Sequence, residues 1–221
     1  MNTLRAEAEE LRRQGYSYNL IQERLGIAKG TMSYWFKEMP FTPNKEVLRR
    51  VKNGQGKLGI RRHNDRVNEI AKLKKVGIAE IGVLSARDLW LLGLGIYIGE
   101  GSKTNEQIRI VNSDPAVIRT SIKWLKESCG LDNENIRMSL HIYPDNNPEE
   151  CIEYWQRVTR LKRENFRWIS VDSRTNKSAS NAGKLMYGTA HVTVISNGDK
   201  AKGVKLFRRL NGWIYGAMNQ A

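Results

Sequence analysis

The chain has little that would staple it and nothing that would anchor it in a bilayer. Its two cysteines in 221 residues, Cys129 and Cys151, are too few for a disulfide framework. Neither stands at a metal-ligand spacing from His63, His141 or His191, so both are expected as reduced core thiols. No signal peptide, lipidation motif or membrane-spanning run is present, which points to a cytoplasmic protein with no membrane partner. Acid is scarce as well. Only 23 Asp+Glu oppose 37 Lys+Arg, and the net charge of +14 favours a polyanionic partner by raising encounter rate and affinity. The surplus is uneven, because residues 45–75 alone carry 11 basic and 3 acidic side chains.

One segment is strongly apolar: Leu-Trp-Leu-Leu-Gly-Leu-Gly-Ile-Tyr-Ile-Gly-Glu-Gly-Ser, residues 89–102. It is too short and too rich in glycine to span a bilayer. Ser85 and Asp88 form a capping-box start and Gly101 is the expected stop, which predicts one buried helix of roughly four turns. Gly93, Gly95 and Gly99 each cost about 1 kcal/mol inside a helix relative to Ala, so another helix is expected to pack closely against this one. Glu100 sits at the negative end of the helix dipole, a place that a bound cation would make favourable.

These residues carry a resemblance. Gly93-Leu94-Gly95-Ile96-Tyr97-Ile98-Gly99-Glu100-Gly101 resembles the motif of the LAGLIDADG homing endonucleases, with Glu100 and Gly101 at the motif's last two places and Gly95 at its first Gly. Ile98 stands where the motif has its first Asp, and Gly93 where it has Leu. The resemblance implies that Glu100, with Gly99 beside it, holds Mg²⁺ or Mn²⁺ at the scissile phosphates. It also implies that two motif helices meet at Gly95 and Gly99.

The first 44 residues read as a small all-α domain. Leu4, Ala8 and Leu11 keep helical spacing and Gly15 ends that helix; Ser17 caps a second helix through Leu25; Gly26 turns the chain; Lys29 to Met39 forms a third that stops before Pro40. Helix, glycine turn, helix resembles a helix-turn-helix DNA reader, with Ile21, Leu25, Ile27, Met32 and Trp35 burying the angle and Gln22 where such motifs usually have Ala. Lys29, Gly30, Ser33, Tyr34 and Lys37 then face outward, towards a major groove. A helical hairpin with no DNA role is the other reading of this pattern.

Residues 45–84 are expected as a basic linker with a flexible break at Asn53–Gly59. A partial helix over Arg61 to Lys75 has Val67, Ile70, Ala71 and Leu73 on one stripe, and Arg61 and Arg62 are expected to hug a DNA backbone. From residue 85 the pattern alternates helix and strand. Gln107 to Ser113, Asn135 to Tyr143, Phe166 to Asp172 and Thr189 to Ser196 are strands. Asp114 and Pro148 open helices, and Asp199 to Met218 closes the chain.

The resulting fold class is α+β. By the resemblance, which covers roughly residues 85–218, it is an αββαββα saddle with an extra helix at Pro148–Arg160. Asn112-Ser113-Asp114-Pro115 and Tyr187-Gly188-Thr189 also resemble segments of bacterial and archaeal members that carry an amino-terminal helix-turn-helix. Arg109, Arg137, Ser139, His141 and Thr193 would line the DNA-facing surface of the sheet. Arg174, Lys177 and Lys184 belong to a polar basic loop, with Arg174 on DNA and Lys177 and Lys184 beside Glu100 as catalytic residues.

A second motif is lacking. Leu210 to Ala217 echoes the first but has no acid, so a homodimer is needed for two active centres, and its target would be near-palindromic double-stranded DNA. The expected function is a site-specific, Mg²⁺-dependent DNA endonuclease, located at the nucleoid through DNA binding. The alternative is a regulator that keeps the fold and cuts nothing, and a third reading is an RNA-binding splicing helper.

Overall fold

Helix α1 (Thr3–Arg13) ends on Arg12 and Arg13, where positive charge suits the dipole, and the chain turns at Gly15 with φ +82°. A Cβ at Gly15 would lie 2.5 Å from the Thr42 carbonyl oxygen, so both the left-handed backbone and the tight space require glycine. The Ser17 hydroxyl accepts from the Leu20 amide to start α2 (Tyr18–Leu25), and Gly26 at φ +68° ends it. Helix α3 (Lys29–Trp35) is shorter than the Lys29–Met39 expected. Phe36 leaves the helix to become fully buried with Ala8, Ile21 and Met32, while Trp35 stays half-buried at the edge.

The structure, a computed structural model, describes residues 3–51, 54–172 and 185–220 and divides into two compact units, Met1–Val83 and Leu84–Ala221. The first unit holds α1 to α3 and two further helices, α4 (Lys45–Arg50) and α5 (Gly54–Ile81). The glycine run expected as a flexible break is helical from Gly54 onward. Its anchor is Asn64, whose side chain accepts from the Phe41 amide at 2.7 Å and donates to the Phe41 carbonyl at 2.9 Å. His63 Nε2 lies 2.7 Å from the Met39 carbonyl oxygen. Of the stripe expected on this helix only Val67 is buried; Ile70, Ala71 and Leu73 are exposed.

In the second unit the elements run α6 (Ala86–Glu100), β1 (Arg109–Asn112), α7 (Pro115–Glu127), β2 (Ile136–Ile142), α8 (Pro148–Thr159), β3 (Phe166–Val171), β4 (Thr189–Val194), α9 (Val204–Met218). The α+β class is as expected, with a four-stranded mixed sheet of order β1-β4-β2-β3. Strand β4 is antiparallel to both β1 and β2, whereas β2 and β3 are parallel and joined through α8. Between α6 and α7 there is one strand among the described residues, not two. The other arm is reduced to a single bridge, Gly101 to Ile110, because the chain after Gly101 is tied back to α6: the Ser102 carbonyl accepts from the Tyr97 hydroxyl at 2.7 Å.

Strict alternation puts Ile136, Met138, Leu140 and Ile142 into the core with Ile110, Ala190 and Val192, and α7 and α8 add Ile118, Ile122, Leu125, Ile152 and Trp155. A short repeat precedes the two parallel strands. Leu131-Asp-Asn-Glu-Asn135-Ile-Arg137 and Leu161-Lys-Arg-Glu-Asn165-Phe-Arg167 each form a 3-10 turn whose last residue is a buried asparagine. The Asn135 amide donates to the Ile195 carbonyl and the Asn165 amide to those of Asn133 and Ile136, so both satisfy backbone oxygens that the sheet leaves over.

Candidate nucleic-acid interface and the end of helix α6

Register determines which side chains share the sheet face opposite α7 and α8. Arg109, Thr193 and Arg137 form one cross-strand row; Val111, His191, Ser139 and Trp168 the next; Thr189, His141 and Ser170 a third. The five residues expected there, Arg109, Arg137, Ser139, His141 and Thr193, therefore lie together. His191, Trp168 and Ser170 join them, and Trp168 is 77 % exposed. Nothing in a single-strand reading marked Trp168 as outward, because a bulge between Met138 and Ser139 shifts the β2–β3 register. Arg167, also exposed, was findable from the repeat that pairs it with Arg137.

Hydrogen bonds fix several of these groups. Arg109 Nη2 reaches His191 Nδ1, and since a guanidinium only donates, that nitrogen carries the lone pair and the ring is neutral. Burial first, then the charge of Arg109, holds the His191 pKa below the ordinary histidine value. His141 Nε2 lies 3.4 Å from the buried carboxylate of Asp172. Arg137 Nη1 donates to the carbonyls of Glu134 and Ile136 at 2.9 and 3.0 Å. The face thus offers oriented donors, two guanidinium groups and one exposed indole, a set suited to phosphates and base edges.

Helix α6 opens as expected. Ser85 and Asp88 cap it reciprocally, and hydrogen bonds from Ser85 hold the Asp88 carboxyl below its ordinary value. Its glycines have separate reasons. A Cβ on Gly93 would overlap the buried indole of Trp124, so the close helix partner at Gly93 is α7 of the same chain. A Cβ on Gly101 would meet the Tyr97 ring, and Gly101 has φ −84°, so its requirement is space and not left-handed backbone. At Gly95 and Gly99 a Cβ would meet nothing within 4 Å. With exposed Leu91 and Leu92 they form an apolar stripe along the outer face of α6.

Glu100 is exposed at the end of that stripe. The cation at the negative end of the helix is supplied by the chain itself. Lys103 Nζ donates to the carbonyls of Tyr97, Ile98 and Gly101 at 2.7, 2.8 and 2.5 Å. Burial lowers the Lys103 pKa and the charge of Glu100 opposes that shift. Lys103 was invisible to sequence reasoning, although a lysine three residues past a helix-terminal acid is a signal that can be sought.

Among the described residues no three His, Cys, Asp or Glu are grouped to hold a metal ion. Glu100 and the carbonyls of the last α6 turn, Gly99 among them, would make half of a carboxylate–carbonyl site for a hard divalent ion. The other half must come from elsewhere. Arg174, Lys177 and Lys184 lie outside the described residues.

In the first unit Lys29, Ser33, Tyr34 and Lys37 are all exposed on α3 or just past it, and the Lys37 ammonium lies 5.5 Å from the Tyr34 ring centroid. Arg61 and Arg62 are exposed on α5, where Arg61 pairs with Asp65 at 3.7 Å. Arg50 pairs with Glu23 and Glu46, so part of the basic segment is neutralised within its unit.

No described helix is long and apolar enough to cross a membrane. No family model, curated protein or solved structure matches the chain.

Proposed function

We propose that the chain is a site-specific DNA endonuclease of the LAGLIDADG kind. On this reading it acts as a homodimer on near-palindromic duplex DNA and reads part of its site with the amino-terminal helix-turn-helix. The observation that carries the proposal is the outer face of α6, where Leu91, Leu92, Gly95 and Gly99 are open and Glu100 follows at once. Two copies of that face, paired about a two-fold axis, would place two Glu100 carboxylates side by side.

Bound Mg²⁺ or Mn²⁺ would polarise the scissile phosphate and make a water nucleophilic at neutral pH. The residues' own work is positional. Glu100 supplies the acidic oxygens, Tyr97 and Trp124 hold the last turn of α6 on the core, and Arg109, Arg137, Ser139, His141 and Thr193 grip the duplex across the sheet. Lys29, Ser33, Tyr34 and Lys37 would enter a major groove, and Arg61 and Arg62 would follow the backbone.

A second reading, a DNA-binding regulator that does not cut, is favoured by Lys103. Its ammonium already satisfies the carbonyls that a metal beside Glu100 would use. One experiment separates the two. A target selected from random duplex DNA is incubated with the protein and Mg²⁺ or Mn²⁺. The nuclease cuts it, and Glu100→Gln abolishes cutting while binding stays within about threefold, because removing one charge from a solvated site costs little affinity. If the wild type binds its selected site and never cuts it, the regulator stands and the nuclease falls.

A further inference from the structure

The first unit buries a cation, Arg12, that no acid among the described residues neutralises. Arg12 is 6 % exposed, and its one hydrogen bond among the described residues runs from Nη1 to the Tyr16 carbonyl at 3.3 Å. Its Nε is sealed from solvent with no partner. The guanidinium lies on the Phe41 ring at 3.6 Å from the centroid, with the Tyr18 ring at 4.6 Å. Aromatic faces compensate a buried guanidinium only in part, and buried charges in proteins are as a rule paired. Burial pulls the Arg12 pKa down to about 10, the direction of a group lacking an anion.

Arg12 also lines a cleft of about 360 Å³ that opens to the surface, large enough for a small ligand. Phe41 and Tyr18 give it apolar walls, Ser17 and His63 bring polar atoms, and Gly59 of α5 forms part of its side. Gly59 lies inside a helix, where glycine is disfavoured, and a Cβ there would meet nothing within 4 Å. Gly59 therefore brings no side chain to the rim of the cleft.

We propose that this cleft binds a small organic anion, a carboxylate or phosphate monoester on a flat apolar body, with its charge on the Arg12 guanidinium and its body against Phe41 and Tyr18. A duplex backbone is the less suitable occupant. A guanidinium this deeply set between rings is within reach of a small molecule entering the cleft, whereas a phosphate within a duplex is tied to its neighbouring nucleotides and cannot follow it in. The site is independent of Glu100 and of cleavage.

The test is calorimetric titration of the full chain with phenyl phosphate, benzoate and, as the uncharged control, benzyl alcohol. Phenyl phosphate or benzoate binds saturably and benzyl alcohol does not, and whichever of the two anions binds more tightly identifies the headgroup. Gly59→Leu, which sets a bulky side chain at the rim of the cleft where a Cβ has room, and Arg12→Met each weaken that binding at least about tenfold, the loss expected for a charge-assisted contact. Circular dichroism checks both folds, and Gly59→Leu keeps the test open if Arg12→Met misfolds. Absence of saturable binding by both anions, or full binding to folded Gly59→Leu, overturns the proposal. So does a result in which neither anion binds but both variants lose affinity for random-sequence duplex DNA, which would assign Arg12 to a DNA phosphate.

Discussion

Lys103 stands where the chemistry of α6 is decided. A helix of 15 residues ends in carbonyls that have no intrahelical partner, and an exposed carboxylate at the same end adds to their negative potential. Three carbonyls accept hydrogen bonds from one ammonium, so replacing Lys103 by Met should lower the stability of the second unit by about 1 kcal/mol. If that ammonium holds a metal's place, Mn²⁺ then raises the melting temperature of Lys103→Met and leaves the wild type unmoved. The effect disappears when Glu100→Gln is added. Identical Mn²⁺ responses in wild type and Lys103→Met would leave Lys103 as a helix cap and nothing more.

At the scale of elements, the glycines of α6 separate packing within the chain from packing between chains. Gly93→Ala forces a methyl into Trp124 and should cost about 1–3 kcal/mol, as overpacking a filled core does. Gly95→Ala meets no atom, so the lone chain should gain up to about 1 kcal/mol of helix stability. If two copies pair through that face, Gly95→Leu should instead drive the DNA-bound dimer to monomer in sedimentation. An unchanged dimer would place the interface elsewhere.

Elements with a local cause were legible in advance. Ser17, Ser85, Asp114 and the Pro148 start are caps or first-turn residues, and β2 alternates without a break, so their ends fell within a few residues of those observed. What escaped depends on contacts distant in sequence. Helix α5 runs through a glycine-rich segment and is held to the rest of its unit by Asn64, tied to Phe41 23 residues away. Trp168 faces outward because of a bulge, and α3 stops early because Phe36 fits a core built by α1 and α2. The candidate site divided in the same way: the sheet residues followed from alternation, whereas Lys103 and Arg12 became visible only through what surrounds them.

For the whole molecule, if it binds DNA as proposed, the distribution of charge between the units sets how it should hold the duplex. Residues 1–83 carry 17 basic and 9 acidic side chains, but Arg5, Arg13, Arg24 and Arg50 are paired with Glu9, Glu10, Glu46 and Glu23 on their own helices or neighbours. The cations left for phosphates are therefore fewer than the composition implies; Lys29 on α3 and Lys57, Arg62, Arg66, Lys72, Lys74 and Lys75 on α5 are exposed with no ion pair among the described residues, whereas Lys37 pairs with Glu38 and Arg61 with Asp65. Each phosphate contact contributes about 0.9 to the slope of log affinity against log salt. On the proposed reading, a protein reduced to residues 84–221 should bind the selected duplex with a slope smaller by about two to four and with a shorter footprint. A slope and footprint equal to those of the full chain would mean that the first unit stays off the DNA, and the helix-turn-helix would then have no part in target reading.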